Sequence, residues 1–249
     1  MTESYLRHLF CCLLIYGMIK RPKPGRRCHV AAKIILGIWL AAVIIASFVY
    51  MSSTQGLGET GRIIIYHVPA AWIAVLAYLM ATVNSLGYLR RHAIRLDRKA
   101  KVSAELGTVF CLLATVTGAI WSKAAWGLYW NWDPRQTSIV VLLLVYGAYF
   151  ALRSSIADED RRARLSAVYA IFAFLTVPFL VFIVPRVYFS LHPDLINIKE
   201  RSFAMDRKML VVFFSSLLGF TGLYAWLYNI RIRLEKLLHR AETRGEKHR

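Results

Sequence analysis

The chain has 249 residues, 57% of them hydrophobic and only 18% charged, with 32 Lys and Arg against 14 Asp and Glu for a formal charge of +18. A soluble domain carries about a quarter of its residues charged and spreads them over its surface. Here the charges are bunched between long apolar runs, which excludes a water-soluble core and predicts several membrane spans. The basic excess does not read as a nucleic-acid surface, because no basic stripe interleaves with aromatics on a polar face. The four cysteines, Cys11, Cys12, Cys28 and Cys111, contain no C-x-x-C pair, and Gly25 stands where a C-x-x-C-H attachment motif ending in Cys28-His29 would need a cysteine. There is no G-x-x-x-x-G-K-[ST] loop, so the chain is not expected to hydrolyse ATP itself.

In chain order, the apolar runs lie near 33–51, 63–83, 104–121, 136–152, 165–184 and 209–228. Each is long enough to cross a bilayer as a helix. The earlier stretch Leu9–Ile19 is too short for a span and has no small-residue cleavage site after it. Lys and Arg divide unevenly between the connecting segments: 23 fall in 1–32, 84–103, 153–165 and 229–249, against 8 in 51–62, 122–135 and 185–208. Because basic residues gather on the cytoplasmic side, the prediction is an all-α, polytopic protein of six transmembrane helices, N-in and C-in. Its parts are a basic cytoplasmic segment 1–32, a six-span membrane domain 33–228 and a basic cytoplasmic tail 229–249.

The outer loops hold what is distinctive. Four of seven tryptophans, Trp121, Trp126, Trp130 and Trp132, fall within twelve residues, beside Gly127. One or two would read as interfacial anchors. Four in one short loop read as a platform for a flat apolar ligand, since indole rings bury large planar areas. Asp133-Pro134-Arg135-Gln136 has the form of a helix start, with an acceptor at the N-cap, Pro at N1 and Gln at N3.

Trp126-Gly127-x-x-Trp130-x-Trp132-Asp133 resembles the tryptophan-rich "WWD" signature of the haem-handling proteins of cytochrome c biogenesis, the CcmC, CcmF and CcsA families. Ile65-Tyr66-His67-Val68-Pro69-Ala70-Ala71-Trp72 resembles the start of a CcmC span, and the likeness covers about residues 33–228. CcmF proteins are much larger. Pro134 after the Asp is closer to CcsA than the Ala often seen in CcmC.

His67 is the one strongly titratable side chain well inside a predicted span, and such groups are costly enough to mark a functional site. His192 lies in the third outer loop, in Tyr188-Phe189-Ser190-Leu191-His192-Pro193, on the same predicted face. A neutral imidazole is a good ligand for haem iron, and two could bind it from opposite faces. The resemblance to CcmC implies His67 and His192 as such axial ligands, with the tryptophan loop as the stacking surface. Arg62, Lys123, Arg135 and Arg186 are candidates to pair with haem propionates.

The resemblance further implies transient, non-covalent binding of haem b and its presentation to the periplasmic chaperone CcmE, in the bacterial inner membrane. The implied partners are the small membrane protein CcmD and the CcmA/CcmB ABC transporter, besides membrane lipid. No catalysis is expected, because no bond in haem need be made or broken here. Three rivals stay open: a CcsA-like haem lyase component, a b-type electron-transfer cytochrome, and a transporter of another amphipathic solute with His67 as proton relay.

Overall fold

The computed structural model describes residues 26–51, 58–192, 196–197, 202–203 and 205–246. The stretch Leu9–Ile19, Cys11, Cys12 and, in the segment read above as the third outer loop, Lys199 and Arg201 lie outside them. The chain divides into two units, Met1–Ile38 and Trp39–Arg249. What is described of the first is the opening of helix α1 (Arg26–Val49), with Val30, Ile34, Ile35 and Ile38 exposed.

The second unit contains the rest of α1 and a 3-10 turn (Glu59–Ile63), then α2 (Ile64–Arg91), α3 (Ile94–Trp126) and α4 (Pro134–Ser155). These are followed by α5 (Glu159–Pro178), a π-helical turn (Phe179–Ile183), the short α6 (Val184–Val187) and α7 (Arg207–Glu246). A two-residue antiparallel ladder, β1 (Ile196–Asn197) with β2 (Ser202–Phe203), interrupts the last connection. Among the described residues, six helical stretches are long and apolar enough to cross a membrane: Val30–Val49, Glu59–Arg91, Ile94–Trp126, Pro134–Ser155, Glu159–Val187 and Arg207–Ala241. The all-α, six-span, multi-pass architecture read from the apolar runs is therefore the one observed.

The helices overrun those runs. α3 has 33 residues, roughly 50 Å at 1.5 Å per residue, against a hydrocarbon core of about 30 Å. Its first two turns carry Arg95, Asp97, Arg98, Lys99 and Lys101. The charged segment 84–103 is thus two helices joined by His92 and Ala93, with the His92 N–H on the Tyr88 carbonyl at 2.7 Å.

The most extensive packing is between α2 and α3. Ala70, Ala74, Ala77 and Ala81 bury one narrow stripe of α2. On α3, a Cβ at Gly107 would lie 2.7 Å from Tyr78 Cε1. Small residues let backbones approach closely, which drives helix association where no hydrophobic gain is available between helices. Tyr78 stacks on Tyr146 with ring centroids 3.5 Å apart, at the centre of this core.

Candidate functional site

The chain around His67 is held by a substitution of donors. Pro69, inside α2, has no N–H for the carbonyl of Ile65 four residues earlier. The hydroxyl of Ser216, on α7, donates to that carbonyl at 2.5 Å. His67 Nδ1 lies 3.1 Å from Thr117 Oγ1 on α3. The Thr117 hydroxyl proton is already committed to the Leu113 carbonyl at 2.7 Å, so Thr117 accepts and Nδ1 of His67 carries the proton. The Ala114 carbonyl is a further acceptor for the His67 ring, and with the proton on Nδ1 the lone pair stays on Nε2. Gly118 makes room for the ring: a Cβ there would lie 2.9 Å from His67 Cε1.

His192 is oriented by Asp133. Asp133 caps α4, its carboxylate accepting from the Arg135 N–H at 2.9 Å, with Pro134 at the first helical position. Gln136 reaches back to accept from the Asn131 N–H at 3.0 Å. The same Asp133 carboxylate accepts from Ser190 Oγ at 3.0 Å, the Leu191 N–H at 2.8 Å and His192 Nδ1 at 3.0 Å. Trp121 and Trp126 meet edge to face at 4.7 Å and pack on the His192 ring at 5.4 and 5.0 Å. Burial holds the pKa of His192 below its ordinary value despite the Asp133 carboxylate beside it. Burial also opposes ionisation of Asp133, but the N–H groups of Arg135 and Leu191, with His192 and Ser190, hold its pKa below the usual carboxylate range. At neutral pH the pair is thus a carboxylate accepting from a neutral imidazole, and the Nε2 lone pair of His192 is available.

Both histidines line one cavity of about 1000 Å³. Its floor is Cys111, Ala114 and Leu142, and its side wall includes Leu180, Val181 and Phe182 of the π-helical turn. Phe182 packs on Trp72 at 5.8 Å. Trp121, Trp130, Arg135 and Arg186 are among its polar and aromatic lining.

The other candidate residues are placed differently. Trp126 backs His192 and is not part of the cavity lining among the described residues. Gly127 closes α3 in the left-handed region at φ 80°, its N–H on the Lys123 carbonyl. Lys123 returns its ammonium to the Gly127 carbonyl at 2.7 Å. Trp132, also left-handed at φ 59°, meets Trp130 edge to face and is 76% exposed. Arg62 pairs with Glu59 at 2.6 Å. Arg135 and Arg186 are therefore brought to the cavity, whereas Arg62 and Lys123 are engaged outside it.

Thr117, Gly118 and Ser190 escaped the reading of the sequence as site residues, and Gln136 was read only as the N3 residue of the helix start. The small-residue spacing of Ala114 and Gly118 was the one available sign that a neighbour approaches α3 there. The chamber they help build has two directed imidazole lone pairs, indole walls and two guanidinium-bearing side chains. Pockets for flat organic ligands fall in the range of about 300–1,000 Å³. This donor set fits a planar, amphipathic anion whose metal has two open axial positions.

The sequence profile of the family described as "CcmC: Heme exporter protein C" matches residues 22–247. Heme exporter protein C of Bradyrhizobium diazoefficiens is 30% identical over 234 residues, covering 91% of this chain and 88% of that protein. The protein of the same name from Paracoccus denitrificans is 45% identical over 112 residues, 45% of this chain and 46% of that one. A putative cytochrome c biosynthesis ccmC-like mitochondrial protein of Marchantia polymorpha is 30% identical over 152 residues, 61% of this chain and 60% of its own length.

Proposed function

From the premise that the chain belongs to the CcmC, heme exporter protein C, family, we propose that it binds haem at the outer face of the membrane and delivers it for cytochrome c maturation. The observation that carries this is the pair of histidines on one cavity, each with Nδ1 engaged and Nε2 unspent. His67 and His192 are the axial ligands of a non-covalently held haem b, with Trp121 and Trp130 against the porphyrin. Arg135 and Arg186, which line the same cavity, are the proposed partners of its propionates. Bound iron supplies the coordination that holds the cargo; the protein orients it, excludes water and makes no bond in it.

The distribution of Lys and Arg supports an orientation with both termini cytoplasmic and the tryptophan loop periplasmic, in a bacterial inner membrane. A periplasmic CcmE-like chaperone is then the acceptor, and a CcmD-like protein and a CcmA/CcmB-like ABC transporter are the membrane partners. Absorption spectra of detergent-purified protein reconstituted with haemin test the reading. Wild type is expected to give a sharp Soret band with resolved reduced α and β bands, weakened or shifted in His67→Ala and in His192→Ala. A wild type that takes up no haem would overturn it.

A further inference from the structure

The two histidines are held by unlike acceptors. The hydrogen-bond partners of His67 are neutral: the Thr117 hydroxyl, which itself donates to a backbone carbonyl, and the Ala114 carbonyl. His192 donates to a carboxylate whose side chain is 1% exposed. That carboxylate gathers donors from two segments far apart in sequence: the Arg135 N–H at the start of α4, and Ser190, Leu191 and His192 in the loop after α6. Asp133 itself is not among the described residues lining the cavity, although Ser190 and His192 are.

Resting on the haem site proposed above, we infer that Asp133 is a positioning residue that makes His192 the stronger of two unequal iron ligands. The acidic end of the tryptophan motif then acts one residue away from the cargo. It fixes the Nδ1–H tautomer of His192, clamps the histidine loop onto the cap of α4, and places a negative charge behind the imidazole. A carboxylate behind a ligating histidine raises its basicity, and loss of such a partner typically costs 10–100-fold in metal affinity. The added basicity favours ferric over ferrous iron, because the charge on the metal is greater. Thr117 gives His67 orientation without charge, so His67 is the weaker ligand of the pair.

The test is the haem midpoint potential and the ferric affinity of full-length, detergent-purified protein. Asp133→Asn is the informative variant, since Asn is as good an N-cap as Asp and the start of α4 is retained. We expect ferric haem affinity to fall about 10–100-fold, ferrous affinity to fall less, and the midpoint to rise. Each tenfold difference between the two states corresponds to about 59 mV for one electron. Thr117→Val is expected to move the midpoint much less. Should Asp133→Asn not assemble, the single-ligand variants read the same asymmetry. His67→Ala, which keeps the carboxylate-backed histidine, is expected to bind ferric haem more tightly and at lower potential than His192→Ala.

The failures are distinguishable. A wild type without haem, or a His192→Ala protein with an unchanged spectrum, overturns the haem site and the inference with it. A wild type whose spectrum depends on both histidines, but whose midpoint is unmoved by Asp133→Asn or moved equally by Thr117→Val, overturns the role of Asp133 alone. The reverse order of the two single-ligand variants does the same.

Discussion

Each end of the second unit buries a carboxylate, and the two carboxylates are spent in opposite ways. At the end remote from the tryptophan loop, Asp97 meets Arg153 in a forked pair at 2.6 and 2.8 Å, both side chains at most 10% exposed. Glu105 pairs with Arg231, and Glu235 with Lys101 at 3.0 Å. Every one of these acids faces a full cation, which is how a helix end in or near a membrane is closed. Asp133 instead faces N–H dipoles, the Ser190 hydroxyl and one imidazole. A guanidinium partner consumes both charges and leaves nothing directed outward. An imidazole partner gives one nitrogen to the carboxylate and turns the other toward the cavity. The same residue type, buried to a similar degree, is a lock at one end and a lever at the other.

The largest effect expected from breaking this contrast is at the lock. Arg153→Ala leaves Asp97 as an uncompensated buried charge, which costs about 3–5 kcal/mol. Unfolding of the apoprotein in detergent should show that loss, while the haem spectrum of the protein that remains folded stays as in wild type. A spectrum that changed with it would mean the two ends are coupled. Next in size is Gly118→Ala. In an ordinary helix this change stabilises by roughly 0.5–1 kcal/mol, but here the new Cβ would lie 2.9 Å from the His67 ring. Haem titration should show affinity lowered tenfold or more without loss of apoprotein stability.

Ser216→Ala removes the donor that replaces the missing Pro69 N–H and leaves the Ile65 carbonyl unpaired. The expected cost is about 1–3 kcal/mol, read by denaturant unfolding, with amide exchange rising at the start of α2. Smallest is the pH effect. His192 titrates below its ordinary value in the folded chain, so the unfolded chain binds the extra proton first as pH falls below about 6.5. Asp133, also lowered, adds a loss in the same direction at more acidic pH. Apoprotein stability should therefore decline from pH 7 to pH 5, and His192→Gln should flatten the first part of that decline.

The six spans were legible because each apolar run is uniform and the charges between them are dense. Their ends were not. Arg95, Asp97, Arg98, Lys99 and Lys101 look like a loop in sequence, and the structure sets three of them on α3 against partners of other helices, Asp97 with Arg153, Arg98 with Glu159 and Lys101 with Glu235. At the site, His67 stood out as a lone imidazole in a span, and the Asp133-Pro134 pair signalled the cap that the structure shows. The division of labour among the tryptophans was hidden. Trp121 and Trp126 pack on His192, Trp130 faces the cavity and Trp132 is exposed, a difference set by the left-handed turns at Gly127 and Trp132. Thr117 and Gly118 were illegible for a simpler reason. A threonine and a glycine in a span have many uses, and theirs exists only once α2 brings His67 against α3.

On the proposed reading, His67 and His192 hold one haem from opposite faces. Electron paramagnetic resonance of the ferric, haem-reconstituted protein tests it most directly. Wild type is expected to give a low-spin ferric signal that converts to high spin in both His67→Ala and His192→Ala. A wild type that is already high spin, or a single variant that keeps the wild-type low-spin signal, would contradict it.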